Sequence, residues 1–216
     1  ACSLHDDTEP FGEPAAERLE KNVAADKTLL ESAANGWELH LWTGKDYSGG
    51  GYTYFMKFAN DKVTVSSDIA PANMKTTSSY DVISDQGPVL TVNTYNEVFH
   101  YLAEPSMDDD DGEQQDYEFV IMRTTNDSIY LRGKKWGNHM VMTRVAESTS
   151  WEDEINKIQQ MDEGLMRTFS LVEGNDTLGG VSLGDDRILT YTDKSGYKKI
   201  PYYVSTKGIT LAKPLE

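Results

Sequence analysis

Four histidines, His5, His40, His100 and His139, are the side chains of this chain best suited to general acid–base work or to zinc. Zinc sites usually announce themselves by short spacings such as HExxH or paired cysteines, which put several ligands on one helix face or one tight loop. Here the histidines lie far apart and cysteine occurs once, at Cys2. Three histidines meeting across a fold is an arrangement that spacing alone does not write. A GxSxG nucleophile elbow, a P-loop and a GxGxxG run before a helix are all missing from the sequence. The glycine run in "GGGYTY" at 49–54 precedes a strand-like segment and reads as a hairpin loop rather than a phosphate cradle. The expectation is therefore a protein that is not an enzyme and uses no cofactor.

Two other groups of residues carry possible chemistry. From Thr76 to Met122 there is no Lys or Arg, and within this stretch Asp108 to Asp111 run together with Glu113 and Asp116 just behind. Hard cations take oxygen ligands, which makes Asp108, Asp110, Asp111 and Asp116 candidates for calcium. The order of the acids lacks the alternation of an EF-hand loop, and a solvated loop extended by like charges is the plainer reading. The second group is aromatic. With 12 Tyr and 4 Trp, a β-rich protein has rings that can stack on sugars or line a cavity. Trp42, Tyr52, Tyr95, His100, Tyr101 and Trp136 are the ligand-binding candidates.

These residues need elements to hold them. The 216 residues carry 36 acids against 20 bases, a net charge of −16, so nucleic acid would be repelled rather than gathered. No run of eighteen apolar residues is present, so no helix spans a membrane. Pro14 suits the first turn of a helix, Leu19, Val23, Leu30 and Ala33 recur near helical spacing, and Gly36 supplies a stop. The period then changes to two in "GWELHLW", where Trp37, Leu39 and Leu41 share a face.

Alternation continues through runs near 37–43, 51–59, 62–69, 78–84, 88–95, 116–125, 128–136 and 139–146, separated by turns rich in Asn, Asp and Gly. Tyr52, Tyr54, Met56 and Phe58 should line one core face, and Tyr117, Phe119 and Ile121 another. Loops this short exclude crossover helices, so the sheet should be antiparallel. The expected fold is mainly β: an N-terminal helix, then an eight-stranded antiparallel up-and-down, lipocalin-like barrel, with a two-sheet β-sandwich as the alternative. Ser150 and Asp153 are placed as a capping box for a second helix that carries Trp151, Ile155 and Ile158 on one stripe. Four more strands, near 167–174, 187–193, 198–205 and 208–212, make a small and partial second β domain. The expected divisions are a tether over 1–12, the helix and barrel over 13–146, and the helix with the second β domain over 147–216.

Ala1-Cys2 resembles the end of a bacterial lipobox, and Ser3-Leu4-His5-Asp6-Asp7 resembles the acidic signal that sends Bacteroidetes lipoproteins to the cell surface. The segments "AAERLEKNVAADKTLLESAANGWELHLW", "SSYDVISDQGPVLTVNTYNEVFHYL", "DYEFVIMRTTNDSIYLRGKKWGN" and "GYKKIPYYVSTKGITLAKPLE" resemble an uncharacterised family of gut Bacteroidetes surface lipoproteins, a domain of unknown function. That resemblance implies a lipid on Cys2, an outer-membrane address on the cell-surface side, nutrient-uptake surface proteins as partners, and relatives that extend further at the C-terminus. It carries no catalytic residue onto this chain. "DSI" at 127–129 and "DTL" at 176–178 resemble the tripeptide at which Bacteroidetes glycosylate exported proteins, which makes Ser128 and Thr177 glycosylation candidates; turn chemistry explains the same residues. The functional expectation is a non-catalytic binding module for a glycan, peptide or small ligand. The alternative is a structural or protein-interaction accessory with a filled barrel.

Overall fold

The computed structural model describes residues 14–104 and 111–215. Helix α1 (Ala15–Glu31) starts on Pro14, whose ψ is extended and whose carbonyl accepts from the Arg18 N–H at 3.1 Å, and ends where the Ser32 hydroxyl donates to the Leu29 carbonyl at 2.6 Å. The Glu17–Lys21 pair forms at 3.5 Å. Strands β1 (Trp37–Trp42), β2 (Gly51–Ala59), β3 (Lys62–Ser67), β4 (Thr76–Ser79), β5 (Asp81–Ser84), β6 (Pro88–Thr91), β7 (Glu118–Thr124), β8 (Ser128–Gly133) and β9 (His139–Arg144) follow. They form one antiparallel sheet in the order β4-β3-β2-β1-β9-β8-β7-β6-β5. It is continuous, not the two facing sheets of a sandwich.

Pairing of β1 with β9, in which Leu39 lies opposite Met142, bends this sheet into a nearly closed barrel. The remaining gap lies between β4 and β5, which are consecutive in the chain. The single strand expected over 78–84 is broken at Tyr80, so its first part ladders onto β3 and its second onto β6. Tyr80 turns inward, 1% exposed, edge-on to Phe58, with its hydroxyl on Glu31 of α1 at 2.7 Å. The sheet thus has nine strands with a seam, where a closed eight-stranded, lipocalin-like barrel was expected.

The barrel interior is packed with apolar side chains. Trp37, Leu39 and Leu41 of β1, Tyr54, Met56 and Phe58 of β2, and Phe119 and Ile121 of β7 meet there, as alternation predicts. Leu30 and Ala33 from the α1 end, and Val98 and Phe99 from the connection between β6 and β7, pack into the same cluster. Full burial of each large apolar side chain contributes roughly 1.5–3 kcal/mol. Tyr117 departs from the expected core face. It precedes β7 and is 44% exposed.

Helix α2 (Trp151–Gly164) begins at Ser150, whose hydroxyl accepts from the Asp153 N–H at 3.2 Å. Its first half lies on the outside of the barrel: Trp151 faces Phe55, with ring centroids 5.7 Å apart, and donates from Nε1 to the Asn35 carbonyl. Its second half carries Ile158 into the core of another sheet. That sheet is an antiparallel half-barrel meander of β10 (Thr168–Glu173), β11 (Asp176–Leu183), β12 (Ile188–Asp193), β13 (Gly196–Ser205) and β14 (Gly208–Leu211). Five strands stand where four were expected. The missed β11 holds Gly179-Gly180, which weakens any strand signal, yet Gly179 allows β12 to approach so closely that a Cβ would lie 2.1 Å from the Thr192 carbonyl oxygen.

A buried ion pair helps tie this sheet to the barrel. Arg187, at φ +60°, tips the turn between β11 and β12. Its Nη1 lies 2.7 Å from an Asp68 carboxylate oxygen and donates to the Gly51 carbonyl at 2.9 Å, while its guanidinium covers the Tyr52 ring at 4.7 Å. Asp68 also accepts from the Thr53 N–H at 3.0 Å. The two charged side chains are 8% and 0% exposed. Burial pushes the Asp68 carboxyl above its usual range, and Arg187 pulls against that shift. Beside them Tyr203 stacks flat on His40 at 4.1 Å, and burial lowers the His40 imidazole to about 4. The glycine run now has its reason. A Cβ on Gly50 would stand 2.4 Å from the Asp186 carbonyl oxygen, and one on Gly51 2.9 Å from the Tyr203 Cβ. Gly49 and Gly50 lie in the hairpin loop between β1 and β2, as expected, and Gly50 and Gly51 also let the two sheets touch.

Replacing Arg187 by Ala should cost roughly 3–5 kcal/mol, because Asp68 is left buried without its counter-charge. Chemical denaturation measures this, and pairing the change with Asp68→Leu should restore much of the loss. A single-variant cost below about 1 kcal/mol would show that the pair does not hold the sheets together.

Candidate ligand-binding surface

The connection between β6 and β7 leaves and re-enters the barrel at one place, where the Val92 N–H donates to the Tyr117 carbonyl at 3.1 Å. Its first turn is pinned by Asn96, which is 2% exposed. The Asn96 Oδ1 accepts from the Phe99 N–H at 3.0 Å and the Thr76 hydroxyl at 2.5 Å, and its Nδ2 donates to Ser78 at 3.1 Å. Phe99 is thereby directed into the core and His100 outward.

His100 sits between two tyrosine rings. Tyr95 lies at 5.7 Å with 28° between planes, Tyr117 lies at 5.4 Å with 43°, and Phe99 supports the imidazole edge-on from below. Tyr95 is 63% exposed, and its hydroxyl donates to the Glu104 carboxylate. His100 Nδ1 lies 2.9 Å from the Asn96 backbone nitrogen and 3.3 Å from the Asn96 carbonyl oxygen, so the backbone of Asn96 fixes the ring. Burial lowers the His100 pKa, against the pull of its backbone partners, which keeps the ring uncharged at neutral pH. The outcome is a fixed, uncharged surface of three rings.

Tyr117 also borders a cleft of about 280 Å³ lined by Gln115, Asp116, Glu118, Lys134 and Lys135. Asp116 forms its floor and is 3% exposed. Its Oδ1 accepts from the Lys135 N–H at 2.8 Å and the Trp136 N–H at 3.2 Å, closing the turn between β8 and β9. Gly133 is needed opposite, since a Cβ there would lie 2.0 Å from Asp116 Oδ2. Burial raises the Asp116 carboxyl, partly offset by those two N–H groups. Lys134 reaches Asp85 at 2.8 Å and Glu118 at 3.5 Å, and Lys135 reaches Asp111 at 3.2 Å while lying 4.7 Å from the Trp136 ring centroid. Rings beside a rim of opposite charges can take the apolar face of a sugar and hydrogen-bond its hydroxyls.

The structure brings Tyr95 and His100 together and leaves Tyr101 exposed on the following turn, while Trp136 meets Lys135 and does not line the cleft. Trp42 and Tyr52 go elsewhere, to Tyr203 and Arg187 at the junction of the two sheets. Asp111 pairs with Lys135 and Asp116 faces inward, while Asp108 and Asp110, like Cys2, lie outside the described residues. Among the described residues no group of three His, Cys, Asp or Glu side chains is placed to hold a metal ion. Ser128 opens β8 half-buried, and Thr177 is exposed in β11. Sequence reasoning missed Tyr117 as a surface ring, together with the buried roles of Asp116, Asp68 and Arg187. The only local hint was Asp116 itself, an acid set directly before an apolar strand.

Replacing Asp116 by Ala should lower stability by about 1–3 kcal/mol, because two N–H groups of a tight turn lose their acceptor. Gly133→Ala should do the same by driving a methyl group into the carboxylate. The double variant should fall short of the sum of the two, since the collision partner is gone; strict additivity in thermal melts would refute this geometry.

Among curated proteins and among solved structures nothing matches this chain. Residues 7–216, nearly all of the sequence, match the model of one family. The chain belongs to the family described as a domain of unknown function, DUF4302.

Proposed function

We propose that this protein is a surface-exposed outer-membrane lipoprotein of the Bacteroidetes type, anchored by a lipid on Cys2, and that it works as a non-catalytic glycan-binding module accessory to nutrient uptake. The observation that carries the binding reading is the Tyr95–His100–Tyr117 ring surface, uncharged, solvent-facing and seated on a turn locked by Asn96. Stacking surfaces need rigidity, because a ring that must be ordered on binding loses part of the affinity it provides. The charged rim of Glu118, Lys134 and Lys135 supplies donors and acceptors for hydroxyl groups. A filled barrel interior supports a second reading, in which the protein has no small-molecule ligand and its outer faces meet another surface protein.

Glycan-array screening followed by calorimetry tests the first reading. Tyr95→Ala and Tyr117→Ala should each weaken binding about tenfold, an aromatic contact of roughly 1.4 kcal/mol, without changing the melting temperature. If no glycan binds, or if both variants bind as the parent does, the ring surface is not a sugar platform. The address is tested separately: Cys2→Ser in the full precursor should move the protein from the membrane fraction to the soluble periplasm, because the acyl chains that provide the anchor cannot be attached. A Ser variant that stays in the membrane fraction would overturn the lipid anchor.

A further inference from the structure

Among the described residues the inner face of the second sheet is only half covered. Near α2 it is sealed by Ile158, Met161 and Leu165 against Val181, Leu183 and Val204. Strands β11, β12 and β13 run on past the helix to the hairpin tips at 173–176 and 193–196. Beyond the helix the concave face opens into a cavity of about 680 Å³, within the range of small-molecule sites, roughly 300–1,000 Å³, and too small to seat a folded partner. Leu171, Leu178, Tyr191 and Leu215 give it apolar walls, and Asp176, Thr177, Asp193, Lys194 and Ser195 from the two tips give it a polar rim. Leu178 and Leu215 are 48% and 43% exposed, so an apolar concavity faces solvent where a filled core would hide it.

The rim has a defined polarity. Asp193 accepts from the Ser195 N–H at 2.7 Å and the Ser195 hydroxyl at 2.5 Å, contacts that favour its ionised form. Asp176 lines the other tip, and Asp193 also meets Lys198 at 3.8 Å, so both tips bring a carboxylate to the rim beside Lys194. We propose that this trough is a second binding site, for a small amphipathic molecule whose apolar body lies on Leu171, Leu178, Tyr191 and Leu215 and whose hydroxyl or amine donors point to Asp176 and Asp193. The site is built by different strands from the ring surface on the barrel and stands independently of it.

The probe is Nile red, a neutral, apolar dye whose emission shifts to the blue in a dry site, titrated against the full chain. Saturable binding of one dye per chain is expected. Leu178→Arg, at a half-exposed position, should weaken it at least about tenfold, some 1.4 kcal/mol, with the melting temperature unchanged. Val172→Arg, at an exposed position outside the cavity lining, and Tyr117→Ala on the barrel should bind dye as the parent does. The anionic dye anilinonaphthalene sulfonate should bind more weakly than Nile red, and Asp176→Lys should narrow that difference. Failure of saturable binding, equal binding by Leu178→Arg, or dye release through self-association of the chain would overturn the proposal.

Discussion

Arg187 and Asp68 are the contact on which the arrangement of this molecule rests. Burying a carboxylate and a guanidinium costs several kcal/mol each, and only close pairing with further hydrogen bonds offsets it. Here the geometry is strict: the 2.7 Å contact, the Gly51 carbonyl on the same nitrogen, the Thr53 N–H on the carboxylate and the Tyr52 ring beneath the guanidinium. An apolar contact tolerates sliding. A buried ion pair does not, because any displacement leaves a charge without compensation. Arg187 even adopts a left-handed backbone to reach its partner, a conformation that costs a non-glycine residue on the order of 1 kcal/mol. The neighbouring contacts follow from that placement: Tyr203 flat on His40, Gln159 bridging the Asp68 and Ala70 carbonyls at 3.1 and 2.7 Å, and the bare backbone of Gly50 and Gly51 where the sheets touch.

The two proposed binding surfaces both lie outside the barrel core. The barrel core is occupied by its own strands and by residues from α1 and the β6–β7 connection, so the wide connection that fills the interior with Phe99 is the same one that presents His100 outside. Core and surface are coupled through one turn. In the second sheet the cause is length. The strands outrun α2, and among the described residues the far end of the concave face is lined by apolar side chains that the helix does not reach.

Much of the fold was legible because its causes are local. Alternation in β1 and β2 marked Trp37, Leu39, Leu41, Tyr54, Met56 and Phe58 as inward, and Ser150 with Asp153 marked the start of α2. Tyr117 shows where that method stops. Period-two reasoning extended the face of Phe119 and Ile121 one position too far, because the buried Asp116 before it is drawn inward by the N–H groups of Lys135 and Trp136. The seam at Tyr80 escaped for the same reason, since a ring taken into the core by Phe58 and Glu31 breaks a run that looks unbroken in sequence.

By itself the sequence determined a mainly β chain with two helices, antiparallel strands, a strongly acidic surface and an abundance of rings, all consequences of residue type and of spacing within a few positions. Which rings gather was decided only by the tertiary structure. Tyr95 and His100 meet Tyr117 across the two ends of a long connection, while Trp42 and Tyr52 are consumed at the junction with the second sheet. Asp68 and Arg187 stand 119 positions apart. Nothing near either residue encodes the other, because the energy that selects their pairing exists only after both have been removed from water.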